Sequence, residues 1–219
     1  MPRLLFEKTG NAVFISHLDL MRLFQRAFKR AGLSLKHTQG FNPRPSVSIA
    51  LPLSVGVESY CELLDFDLEG DVTALGDICD RLNAALVEGV SVRCVYEGGR
   101  KLKDLALLSA AVTLEYDRGI TEEERTQIAD LFRRESLTVE KKGKNGITEQ
   151  DLIPMIRSLN VSMPDEHTLS LQAVVCCQNP TLNPMQLVAA VERYLPERKP
   201  DFAKCTRLEI FDAGQKIFR

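Results

Sequence analysis

The sequence predicts an α+β fold: two ferredoxin-like (βαββαβ) modules in tandem, spanning residues 1–99 and 104–219. Three observations carry that prediction. Short runs of alternating apolar and polar residues read as strands. Amphipathic stretches with recognisable caps lie between them and read as helices. The order strand, helix, strand, strand, helix, strand is complete by residue 96 and begins again near residue 110. A single larger α+β domain is the structural alternative.

Arg3–Lys8 alternates and ends at Thr9-Gly10-Asn11, so it reads as a strand. Ser16 is a good N-cap, and Asp19 three residues later makes a capping-box-like start. The helix HLDLMRLFQRAFKRA runs to Gly32, a natural C′ residue. At 100° per residue, Leu20, Leu23, Phe24, Ala27, Phe28 and Ala31 share one face. Arg22, Arg26 and Lys29 fall within about 60° of one another on the opposite face. Ser46–Leu51 and Tyr60–Leu68 read as strands, Val72–Val87 as a helix closing at Gly89, and Val90–Tyr96 as a strand. In the second half, Ala110–Tyr116, Leu137–Lys142, Thr168–Cys177 and Thr206–Phe211 read as strands. Helices are expected over Thr121–Arg134, with a Thr121/Glu124 capping box, and over Pro184–Leu195, with Asn183 as N-cap. Residues 149–163 receive no assignment.

Composition narrows the function classes. At 219 residues, 44% hydrophobic and 26% charged, the chain is globular in type. No apolar run approaches the ~20 residues that a membrane span needs, and MPRLLFEKTG has no signal-peptide core. A cytoplasmic location with no membrane partner is therefore expected. The six cysteines are scattered without a C-x-x-C pair, which suits small core residues in a reducing compartment. No P-loop, dinucleotide fingerprint or nucleophile elbow occurs. His17, Asp19 and His37 have poor spacing for a metal, since positions i and i+2 of a helix point about 200° apart. Neither a cofactor nor a metal is expected.

Charge is distributed unevenly. Residues 1–57 hold eight Lys/Arg against two Asp/Glu, a net of +6; residues 58–99 hold two against ten, a net of −8. The basic helix stripe of Arg22, Arg26 and Lys29, with Arg30, Lys36, His37 and Arg44, can track a phosphate backbone or simply be a solvated face. The segment QGFNPRP frames Phe41, Asn42 and Arg44 with Gly40, Pro43 and Pro45. Phe41 can stack on a base, Asn42 can read a base edge and Arg44 can hold a phosphate. Equally, Phe41 can close the core and Asn42 can serve a turn. Ser16 and Asp19 read most simply as caps, and His17 as a first-turn histidine or a proton donor beside a ligand.

Four stretches taken together carry a resemblance: RLLFEKTG, SHLDLMRLFQRAFKRAG, QGFNPRP and LPLSVGVES. The chain resembles the bacterial radical SAM-linked proteins in their separate-chain form. The matching positions are Ser16, His17, Asp19, Arg22, Arg26, Arg30, Gly40, Phe41, Asn42, Pro43 and Glu58. The resemblance implies association with a radical SAM enzyme and assigns no reaction. In architecture alone, the layout is also similar to the CRISPR repeat-processing endoribonucleases, although their C-terminal glycine-rich loop is not evident here.

Three functions are consistent with these features. One is an accessory protein that presents RNA, tRNA or rRNA, to a radical SAM partner. Another is an RNA-processing or RNA-modifying enzyme using His17 as acid or base. The third is a protein-interaction scaffold without nucleic acid, docked through its opposed charges.

Overall fold

The computed structural model describes residues 1–70, 74–143 and 146–219. It divides into two compact units. The first comprises Met1–Asp104 together with Phe218 and Arg219, and the second comprises Leu105–Ile217.

The first unit follows the order β1 (Arg3–Lys8), α1 (His17–Arg30), β2 (Val47–Ile49), β3 (Val57–Phe66), α2 (Leu75–Ala85), β4 (Val90–Tyr96). Its strands run β4-β1-β3-β2, every neighbouring pair antiparallel. Alternation decides which residues face the helices. Leu4 and Phe6 of β1 pair with Leu64 and Glu62 of β3, and Leu4, Phe6, Leu64 and Phe66 belong to one buried cluster with Phe24 and Phe28 of α1 and Ile78 and Leu82 of α2. Phe6 meets Phe24 edge-on at 4.8 Å between ring centres, and Phe28 lies 5.0 Å from Phe66. The apolar face expected for α1 is buried at Leu20, Phe24, Ala27 and Phe28. Gly32 takes φ +66°, the left-handed C′ conformation that favours glycine. The predicted helix from Val72 is observed from Leu75; residues 71–73 lie outside the described residues.

The second unit runs β5 (Leu105–Glu115), α3 (Glu122–Leu131), β6 (Thr138–Gly143), β7 (Gly146–Asp151), β8 (Ile156–Asp165), β9 (Thr168–Cys176), α4 (Met185–Tyr194), β10 (Phe202–Asp212). Its main strands are ordered β10-β5-β9-β8, all antiparallel, while β6 and β7 pair only with each other. Here the sequence reading needs revision. Leu137–Lys142 is extended as expected, yet it does not join the main sheet. The strand beside β9 is instead β8, in the stretch left unassigned, where Pro154 closes a short 3-10 turn (Ile153–Met155) and ten extended residues follow. The capping box at Thr121 and Glu124 is complete in both directions. Among the described residues, no helix is long and apolar enough to cross a membrane.

Candidate nucleic-acid interface

The start of α1 is set from below by a buried lysine. Lys8 is only 1% exposed, and its ammonium donates to the carbonyls of Val13 (3.1 Å) and Ile15 (2.8 Å). Those carbonyls close the 3-10 turn Gly10–Phe14 and lead into the helix. Burial pushes the Lys8 ammonium below the usual lysine range, against an opposing pull from Glu62. The Ser16 hydroxyl accepts from the Asp19 amide (3.2 Å) and donates to the Asp19 carboxylate (2.7 Å). That bond, then the Arg22 guanidinium 2.9 Å away, holds the exposed Asp19 carboxyl below its ordinary range. Ser16 and Asp19 are thus helix caps in this structure. His17 opens the helix, half-buried.

Arg22, Arg26, Lys29 and Arg30 are all exposed. The guanidinium of Arg30 turns away and donates to the Ala85 carbonyl at the end of α2 (2.5 Å). Arg30, expected among the nucleic-acid-binding residues, is thus engaged with a helix terminus, whose last carbonyls lack intrahelical partners.

The segment after α1 extends the sheet before turning out. Leu35 bridges Leu68, the Lys36 amide donates to Asp67 (2.9 Å) and the Glu69 amide donates to Ser34 (2.8 Å). A small hairpin then rises from residue 37. His37 bridges Pro45, the Thr38 amide donates to the Arg44 carbonyl (2.8 Å), and the Arg44 amide donates to the Thr38 hydroxyl (3.0 Å). Gly40 at the tip has φ +134°, a region side chains rarely adopt. This geometry answers the question about Phe41. Its ring is fully exposed, at 108% of the reference area, so it does not close the core. Asn42, Pro43, Arg44, Lys36 and His37 are exposed as well.

Helix and hairpin meet along a groove of about 410 Å³. Its lining includes Gln25 and Lys29 of α1, His37 and Pro45 at the hairpin base, and Ser34, Leu35 and Glu69. Lys29 and His37 are thus brought to one groove. Gln25, Ser34 and Glu69 were not singled out in the sequence. They carry no motif: Gln25 lies one turn before Lys29 on α1, and the pairing of residues 34–36 with 67–69 brings Ser34 and Glu69 together. Glu58, a position in the resemblance, accepts from the Gly10 amide (3.2 Å) beneath the 3-10 turn. Among the described residues, no three His, Cys, Asp or Glu side chains come together as a metal set.

Solved structures that the chain matches include a Cbf5–Nop10–Gar1 complex, with TM-score 0.52 and 9% identity over 95% of this chain and 48% of that one. Another is an H/ACA RNP bound to a substrate RNA containing 2′-deoxyuridine, with TM-score 0.49 and 8% identity over 94% of this chain and 46% of that one. The chain thus spans just under half the length of each, and at such identity the first likeness concerns the fold alone. No protein with a curated description matches the sequence. A family model matches residues 2–184, and the chain belongs to the bacterial family described as "Uncharacterized protein conserved in bacteria (DUF2344)".

Proposed function

We propose that this chain is an RNA-binding accessory protein that contacts RNA through the exposed stripe of α1 and the hairpin of residues 37–45. The observation that carries the reading is the groove shared by Lys29 and His37, with a fully exposed Phe41 on the hairpin whose base lines it. Cations at Arg22, Arg26, Lys29, Lys36 and Arg44 supply sequence-independent attraction to phosphates. Phe41 supplies a stacking face, and Asn42 beside it an amide able to read a base edge. In the same reading each unit is a ferredoxin-like module. The common strand order supports this, with β6 and β7 as an insertion in the second. A radical SAM enzyme as the partner that receives the RNA rests on the sequence resemblance alone. His17, half-buried and away from the groove lining, is given no catalytic role here.

The test is fluorescence anisotropy with labelled small cellular RNAs, tRNA and rRNA fragments included, on wild type and Arg22→Ala/Arg26→Ala. Binding weakened by the double substitution is expected. RNA affinity absent at low salt contradicts the reading and leaves the scaffold alternative, checked by co-purification with a radical SAM protein.

A further inference from the structure

The groove holds more than a phosphate track needs. Beside Lys29 and His37 stand Gln25, Ser34 and Glu69. A surface that only neutralises phosphates gains nothing from a carboxylate, which repels them. A carboxylate does suit a base: ionised glutamate accepts hydrogen bonds only, through two oxygens that can take a pair of parallel N–H donors. Guanine presents such a pair, the ring N1–H and the 2-amino group, side by side on its Watson–Crick edge. The backbone at Glu69 is tied to Ser34, and its neighbour Leu68 to Leu35, so the carboxylate springs from an anchored segment. The groove, at about 410 Å³, falls within the usual size of small-ligand sites.

We infer that this groove takes one unpaired guanosine of a bound RNA, its Watson–Crick edge toward Glu69 and its phosphates toward Lys29 and His37. The inference rests on the RNA reading above and narrows it to single-stranded or loop RNA. Two features point away from duplex. In a paired strand the guanine N1–H and one 2-amino proton are already bonded to cytosine, so the parallel pair that Glu69 would accept is not available. In addition, the Phe41 ring stands in the open on the same hairpin, at most about 14 Å along the chain from His37. An exposed aromatic on a braced tip suits an unstacked neighbouring base.

The test uses four labelled RNAs and anisotropy. Three are ten-nucleotide uridine strands with one central guanosine, inosine (which lacks the 2-amino group) or adenosine. The fourth is a fully paired hairpin. Wild type is expected to bind the guanosine strand about tenfold or more tighter than the inosine and adenosine strands, with the paired hairpin weaker than the guanosine strand. Glu69→Gln is expected to erase the guanosine preference and leave the adenosine strand's affinity unchanged. Equal binding of the three strands, or a preference for the paired hairpin, overturns the inference while the RNA reading stands. Failure of all four RNAs to bind, at salt low enough for phosphate contacts to count, removes both.

Discussion

Arg30 and Arg81 cap each other's helices. Arg30, in the last turn of α1, donates to the Ala85 carbonyl at the end of α2, while Arg81 of α2 reaches back to the Ala31 carbonyl at the end of α1, its Nε at 2.9 Å. Each guanidinium satisfies a terminal carbonyl and sits at the negative end of the other helix's dipole. Arg81 also pairs with Asp77 in its own helix. The exchange fixes the end of α1 from which Lys29 faces the groove. Both arginines remain partly exposed, so the gain is modest. Arg81→Ala is expected to lower unfolding free energy by about 1 kcal/mol, and Arg30→Ala by no more than that. RNA affinity at native temperature should hardly change in Arg30→Ala. Urea unfolding followed by circular dichroism reads the first effect and anisotropy the second. A large affinity loss with unchanged stability would place Arg30 in RNA contact.

Phe41→Ala separates binding from folding. A ring with no buried area contributes little to stability, so the unfolding free energy should stay within about 0.5 kcal/mol of wild type. Loss of a stacking face should weaken RNA binding about tenfold. Phe24→Ala is the control in the opposite sense. That ring is fully buried against Phe6, and its removal should cost about 3–5 kcal/mol.

Lys8 makes stability depend on alkaline pH. Its folded-state pKa lies below the ordinary value because burial disfavours the ammonium. The charged form is therefore opposed by folding. That penalty is present in full below the depressed folded pKa and disappears as pH rises from there toward the unfolded value of about 10.4. Unfolding free energy should rise with pH across that window, and the rise should be absent in Lys8→Met. Urea midpoints measured from pH 7 to pH 10.5 check the slope. An identical slope in both proteins contradicts the assignment.

Much of the first unit was legible in the sequence, and the reasons are local. β1, β4 and α1 were readable because alternation, the Ser16 cap and the Gly32 terminus each act within a few residues. The second unit was harder. Val139 in β6 and the exposed residues of β7 give no hint that they pair only with each other, and the Pro154 turn masks the start of β8. In the site, the basic stripe followed from helical spacing. The exposure of Phe41 did not, since an aromatic between a glycine and Asn42-Pro43 fits a core plug as well as a hairpin tip. The bond from Arg30 to Ala85 was not legible either, since it depends on where α2 ends beside α1. Gln25 sits one helical turn from Lys29, but Ser34 and Glu69 come together only through the pairing of segments 34–36 and 67–69, a contact no short motif encodes.

The measurement that bears most directly on the central claim is the salt dependence of RNA affinity. Log affinity should fall linearly with log salt concentration for wild type. The slope should be shallower by about 1.4 in Arg22→Ala/Arg26→Ala, about 0.7 for each single-strand phosphate contact removed. Absent binding at low salt, or a slope that the double substitution leaves unchanged, would contradict RNA recognition through this helix.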